Sequence, residues 1–148
     1  MAGRPAVGSS GALLAPWTGG IRGRQTMDGT RHVLVVDDED DFVDMMRVLL
    51  ELERFQVSSS SSAPSAVRRV CDGLAPDIVL LDFRMPVLDG GDALRRMRSC
   101  GLSSPAILVS GTRDIRDQAV LHGFDAWVQK PFDFGTLLGA IDHCLGSA

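Results

Sequence analysis

The chain has no apolar run approaching the roughly 18 residues that a membrane-crossing helix needs, so nothing in it predicts insertion into a bilayer. It also has no excess of positive charge. Lys and Arg number 15 against 19 Asp and Glu, for a net charge of −4. Arg4, Arg22 and Arg24 stand unopposed in residues 1–26, so residues 27–148 carry −7. An acidic folded part argues against direct nucleic-acid binding. Cysteine is scarce: Cys71, Cys100 and Cys144 are odd in number, far apart and without a C-x-x-C pair. That usage predicts three reduced thiols in a cytoplasmic protein. His32, His122 and His143 show no metal-ligand spacing and are expected at a strand start or on helix surfaces.

What the chain does have is size and an apolar content sufficient for one core. Its 148 residues with 45% apolar side chains fit a single globular domain. Residues 1–26 are rich in Gly, Ala, Ser and Pro and lack periodicity, which predicts a flexible extension over residues 1–30 and a folded domain over 31–146. Ala12 to Trp17 is too short, and too interrupted by Pro16, for a signal-peptide core. Met27 is the expected natural start, because the first strand begins five residues later.

Short apolar runs set the fold class. Val33–Val36, Ile78–Leu81, Ile107–Val109 and Ala126–Gln129 read as strands of a parallel sheet covered on both faces. Phe55 to Val57, with the serines that follow, supplies a further short strand. Between the strands, Phe42, Met45, Met46, Leu49, Leu50 and Leu52 recur at helical spacing, after a cap at or near Asp40. Ser62 and Pro64 open a second helix that ends before Gly73. A third helix takes Gly91 to about Ser99, with Leu94 and Met97 inward. A fourth spans about Asp114 to Leu121, with Ile115, Ala119 and Val120 as its apolar side. The last runs from about Phe134 to Leu145. Five strand–helix units joined by right-handed crossovers predict an α/β fold: a doubly wound, five-stranded parallel sheet in three layers.

Ligands bind such sheets at the carboxyl ends of the strands. The residues falling there are Asp37 and Asp38, Asp82, Ser110, and Lys130 before Pro131. Carboxylates brought together either raise a pKa or bind a cation, and oxygen-only ligands favour a hard ion such as Mg2+. Asp37 and Asp38 alone also read as helix caps, as do Asp40 and Asp41. Lys130 offers a charge for a carboxylate or a phosphoryl oxygen. The Lys130–Pro131 bond is open to either isomer. Ser110 offers a hydroxyl, and Gly111 leaves its N–H open to a ligand oxygen.

The ordered set Asp37-Asp38, Asp82, Ser110 and Lys130-Pro131, with Met85-Pro86 and Asp89-Gly90 after the central aspartate, closely resembles the receiver domain of bacterial two-component response regulators. The resemblance covers about residues 31–146 and implies the flavodoxin-like (βα)5 receiver fold. It implies that Asp82 is the phosphoacceptor, taking a phosphoryl group from a sensor histidine kinase or a histidine phosphotransfer protein. Asp37, Asp38, Asp82 and the Arg84 main-chain carbonyl would hold Mg2+, while Ser110, Lys130 and the backbone at Arg84 and Gly111 would bind phosphoryl oxygens. Pro86, Gly90 and Pro131 would be structural.

Ser110 and Trp127 would form the switch, although Trp departs from the Tyr or Phe usual at that place. The domain would act on no substrate beyond its own phosphoryl group. It would signal to a protein target through its fourth helix, fifth parallel strand and fifth helix, a face that includes Arg113, Arg116, Gln118, Trp127 and Gln129. With little chain after Leu145, the expectation is a single-domain regulator or a domain excised from a longer one. Two other readings stand beside it. One is a receiver-fold binding module that needs no phosphate. The other is an aspartate-nucleophile phosphatase, disfavoured by Arg84 where that class carries a second acid.

Overall fold

The computed structural model describes residues 6–7, 13–14 and 29–146, the first four as backbone only. Two short strands, β1 (Ala6–Val7) and β2 (Leu13–Leu14), precede β3 (His32–Val36). Then α1 (Asp40–Leu52), β4 (Gln56–Ser60), α2 (Ala63–Cys71), β5 (Ile78–Leu81), α3 (Gly90–Ser99), β6 (Ala106–Ser110), α4 (Ile115–His122), β7 (Ala126–Gln129) and α5 (Phe134–Leu145) alternate. The five strands from β3 to β7 pair in parallel in the order β4-β3-β5-β6-β7. This is the flavodoxin-like order, whose switch point falls between β3 and β5.

The sheet is wider than the expected five strands. β2 pairs antiparallel along β7, with Leu13 opposite Trp127, and β1 pairs with β2. A seven-stranded sheet results. The leader's backbone therefore contributes two strands where only a flexible extension was expected, because the edge of β7 offers free N–H and C=O groups to any extended segment. The rest of that expectation, and the proposed start at Met27, lie outside the described residues.

Alternation along each parallel strand divides the core in two, as a pleat of period two demands. Val33, Val35, Ile78, Leu80, Ile107, Val109, Ala126 and Val128 face α1 and α5, whose Val43, Met46, Leu50, Leu137 and Ile141 complete that layer. Leu34, Val36, Val79, Leu81, Leu108 and Trp127 face α2, α3 and α4, meeting Ala66, Val70, Leu94, Met97, Ile115 and Ala119. Leu94 and Met97 point inward as expected, but three other positions do not. Met45, Leu52 and Val120 are exposed, and Val43 takes the inward place on α1. Each helix packs only one narrow stripe on the sheet, so apolar residues flanking that stripe reach solvent.

The caps follow local chemistry. Ser62, Asp89 and Asp133 each accept a hydrogen bond from the backbone N–H three residues on, opening α2, α3 and α5. The N-cap of α1 is Glu39, the neighbour of Asp40, and its side chain makes no capping bond. The N–H of Glu39 is instead taken by Asp37 Oδ1 at 2.9 Å, which ties the helix start to the strand end. His32 starts β3 and bonds Ser58 Oγ at 2.7 Å, and His143 lies exposed on α5. His122 departs from a surface place: its half-buried ring lies 5.8 Å from Phe83.

The expectation of three free thiols is overturned. Cys71 and Cys100 form a disulfide with Cα atoms 5.0 Å apart, leaving only Cys144 free and buried. The bond joins the last residue of α2 to the C-cap of α3. Antiparallel and parallel neighbours alike bring helix ends together that sequence spacing keeps apart, which is why a 29-residue separation concealed the pair.

Candidate functional site: an acidic cleft at the strand ends

The carboxyl ends of four parallel strands gather beside the switch point. Asp37 follows β3, Asp82 follows β5 and Ser110 ends β6, while Lys130 follows β7. Asp37, Asp82 and Ser110 are buried, Asp38 is exposed and Lys130 is mostly buried. One carboxylate oxygen from each of Asp37, Asp38 and Asp82 lies within 4.8 Å of the others. A cleft of about 800 Å3 opens above them, lined by Asp38, Asp82, Arg84, Ser110, Gly111 and Lys130 among others. Every polar residue singled out from the sequence for acid, metal or phosphate chemistry thus sits in or directly beneath one cavity.

Lys130 is the chain's only lysine and is held from several sides. Its Nζ lies 2.7 Å from Asp37 Oδ2, 3.6 Å from Glu39 Oε1 and 4.0 Å from Asp82 Oδ2. It also stands 4.0 Å from the centroid of the Phe42 ring, a cation–π contact, and Phe42 in turn meets Phe132 edge-on. Burial by itself disfavours the ammonium, but the hydrogen bond to Asp37 and the charges of Asp82, Asp37 and Glu39 outweigh it, so its pKa is raised. The Lys130–Pro131 peptide bond is cis.

Asp82 is the strained member. Burial pushes its carboxyl above the ordinary carboxylate range, and the neighbouring charge of Asp37 adds to this. Lys130, a hydrogen bond from Ser110 and one from the Phe83 N–H, at 2.8 Å, oppose the rise without cancelling it. A buried carboxylate short of positive charge is poised for a cation or for reaction at its own oxygen. The backbone around it is tightly built. A Cβ on Gly90 would fall on the Asp82 carbonyl oxygen, and the Gly90 N–H donates to Phe83 O at 2.7 Å. That close approach explains the glycine predicted there as structural. Pro86 belongs to the same loop, its carbonyl accepting from the Leu88 N–H at 2.8 Å.

Ser110 and Trp127 share a face of the sheet, because Ser110 pairs with Gln129 and Leu108 with Trp127. The indole is buried among the residues facing α3 and α4, so the core accommodates the larger ring. Thr112 and Asp114 beside the site gave no signal of a role there, while Gln118 and Gln129 were expected only on the target-binding face. Thr112 Oγ1 donates to Asp114 Oδ1, Gln118 Nε2 to Asp114 Oδ2 and Gln129 Nε2 to Thr112 O, which together tie the loop after Ser110 to both α4 and β7. These contacts, with Glu39 and Phe42 at Lys130, involve residue types common on any surface. Only their meeting at the cleft marks them.

With this geometry in hand, comparison with known proteins is decisive for the class. The response regulator receiver domain family matches residues 33–142, and the chain belongs to that family. It is 34% identical over 113 residues to the regulatory protein AtoC of Escherichia coli, covering 75% of this chain and 24% of AtoC. It is 32% identical over 116 residues to the response regulator SaeR of Staphylococcus aureus, covering 77% of this chain and 50% of SaeR. The chain therefore spans half or less of these relatives. Its fold resembles the receiver domain of the sensor histidine kinase PA1611 from Pseudomonas aeruginosa, a structure with a magnesium ion coordinated in its active-site cleft. That match has a TM-score of 0.73 at 24% identity and covers 80% of this chain and 99% of that one.

Proposed function

We propose that this receiver domain is a phosphoacceptor of a two-component or phosphorelay system, with Asp82 as the acceptor. The observation that carries the reading is Asp82 itself: a buried carboxylate short of neutralising charge, beside Asp37, Asp38 and Lys130, at the floor of an open cleft. An Asp82 oxygen attacks the phosphorus of a phosphohistidine on a sensor kinase or phosphotransfer protein. The O–P bond forms, the N–P bond breaks, and the histidine nitrogen leaves and takes up a proton. Lys130 and the Ser110 hydroxyl meet the phosphoryl oxygens, and the Gly111 N–H stands open to a third. Little bond-making falls to other residues, so their work is positioning and charge neutralisation.

The donor set suits a hard dication. Asp37, Asp38 and Asp82 offer only oxygens, and Arg84, which lines the same cleft, would add its main-chain carbonyl. Bound there, Mg2+ would neutralise the carboxylates and the charge developing on the phosphoryl oxygens. Phosphorylation adds about −1.5 to −2 charge. Ser110 then moves toward it, and with Trp127 on the same sheet face the change reaches α4, β7 and α5, where a protein target binds. The protein works in the cytoplasm, and it catalyses only its own phosphorylation and dephosphorylation.

The test is incubation with acetyl phosphate and Mg2+, comparing the natural chain with Asp82→Asn. A single acid-stable, base-labile phosphoryl group per chain is expected, absent from the variant and after chelation. Labelling that persists in Asp82→Asn overturns the assignment. An unlabelled natural chain under every small-molecule donor would favour a binding module that needs no phosphate.

A further inference from the structure

We infer that Cys71 and Cys100 form a reversible thiol–disulfide exchange site that reacts with an anionic low-molecular-weight thiol, with Cys100 as the attacked sulfur. The inference uses the cytoplasmic placement proposed above but none of the phosphoryl chemistry. Disulfides in compartments that keep thiols reduced are usually transient and redox-sensing rather than structural. Exposure decides which disulfides stay labile, and both of these cysteines are exposed. Cys144, by contrast, is buried, with its thiol pushed up to about 12, so it stays out of the chemistry.

Three observations place the reaction. First, a small cavity of about 190 Å3 opens beside Cys100, lined by Gly73, Leu74, Gly101, Leu102 and Ser103, and Cys71 is not part of its wall. A thiolate entering it reaches the Cys100 side of the bond. Second, the last turns of the two joined helices carry Arg68 and Arg69 on α2 and Arg96 and Arg98 on α3. Asp72 adjoins Cys71 and Asp125 pairs with Arg98 at 3.5 Å, so two carboxylates stand against four guanidinium groups and the charge there is net positive. It attracts an anionic thiol and favours the departing thiolate against the negative ends of the two helix dipoles. Third, α2 and α3 do not depend on the bond to meet. Val70, Met97 and Leu102 are buried in one cluster beneath it, so the dithiol form keeps the fold.

The exchange runs in two balanced steps. The incoming thiolate bonds to Cys100 Sγ as the Cys71–Cys100 bond breaks, and the Cys71 thiolate leaves and takes up a proton. A second thiolate attacks the outer sulfur of the mixed disulfide, releasing the small-molecule disulfide and the Cys100 thiolate. Two electrons pass from two small thiols to the protein, and the reverse sequence reoxidises it.

Glutathione buffers of graded ratio, applied to the whole folded chain, test this by acid quench, alkylation of free thiols and intact mass. The natural chain is expected to interconvert fully between disulfide and dithiol forms without denaturant and with an unchanged far-ultraviolet spectrum. Cys71→Ser is expected to carry a glutathione adduct on Cys100 at least tenfold more abundantly than Cys100→Ser carries one on Cys71. A bond that resists every ratio until the protein is unfolded would make it a structural staple. A pair that stays reduced in oxidised glutathione, or equal adducts on the two variants, would equally overturn the inference. Measurements on the natural chain decide the first two outcomes even if a variant folds poorly.

Discussion

The two ends of the parallel sheet treat buried charge in opposite ways. At the amino ends of the strands, carboxylates are spent on structure. Asp77 accepts the His32 N–H at 2.7 Å, Asp125 accepts the Ala106 N–H at 2.8 Å, and Arg98 reaches Asp125 and the carbonyls of Leu102 and Ser104. Asp77 Oδ1 is the one buried side-chain oxygen or nitrogen among the described residues left without a partner. At the carboxyl ends, Asp37, Asp38 and Asp82 crowd together with one lysine to answer them. Burial raises the carboxyl pKa of Asp125 as it does that of Asp82, but the Ala106 N–H and Arg98 oppose the rise at Asp125, whereas at Asp82 the charge of Asp37 adds to it. The difference lies in what faces each carboxylate: fixed backbone donors at one end, other carboxylates and an open cleft at the other.

The comparison can be broken most severely at the amino end. Replacing Cys71 and Cys100 together by Ser releases a loop with a sequence separation of 29 residues. By loop entropy alone it is expected to cost about 3–4 kcal/mol relative to the oxidised chain. Urea unfolding with and without reductant measures this, and equal midpoints for variant and oxidised chain would contradict it. Asp125→Ala leaves the Ala106 N–H and the half-buried Arg98 without their carboxylate. A loss of about 2 kcal/mol is expected in the same assay.

The carboxyl end should respond with the opposite sign. Burial and Asp37 raise the Asp82 pKa, so its charged form weighs against the fold at neutral pH. Asp82→Asn is therefore expected to stabilise the chain, by up to about 1 kcal/mol, while abolishing phosphoryl labelling. A lower unfolding midpoint for Asp82→Asn would erase the contrast between the two ends. The smallest effect belongs to His32, whose pKa is lowered chiefly by burial. Its unfolded form takes a proton first as pH falls below about 6.5, so the stability it contributes declines through that range and on down to the folded pKa. His32→Gln should flatten the slope of stability against pH between 7 and 5, and an unchanged slope would show that other groups set it.

Much of this was legible before the structure. Val33–Val36 and Ile78–Leu81 read as buried strands because β-branched runs of that length have few other uses in a doubly wound sheet. The site was legible for a related reason. Strand ends are where such a sheet opens, so the polar residues that end the runs were already placed: Asp82, Ser110 and Lys130 line one cleft, and Asp37 pairs with Lys130. The outward turn of Met45, Leu52 and Val120 was not legible, because an amphipathic pattern shows that a helix has an inner face without fixing how wide a stripe the sheet covers. Nor were Glu39 and Phe42 at Lys130, since an exposed acid and a helical phenylalanine look the same wherever they occur.

Local order and pattern thus determined the layers, the strand–helix alternation and the residues that stand at the carboxyl ends of the strands. These depend on periodicities of two and 3.6 residues and on where each run stops. Tertiary structure alone decided the meetings across distance. It brought Lys130 onto Asp37, 93 positions away, set Gly90 against the Asp82 carbonyl, laid β2 along β7 and joined Cys71 to Cys100. Such contacts arise from the packing of whole elements, which fixes helix ends and strand edges in space to within a few ångströms while leaving little trace in the spacing of the residues themselves.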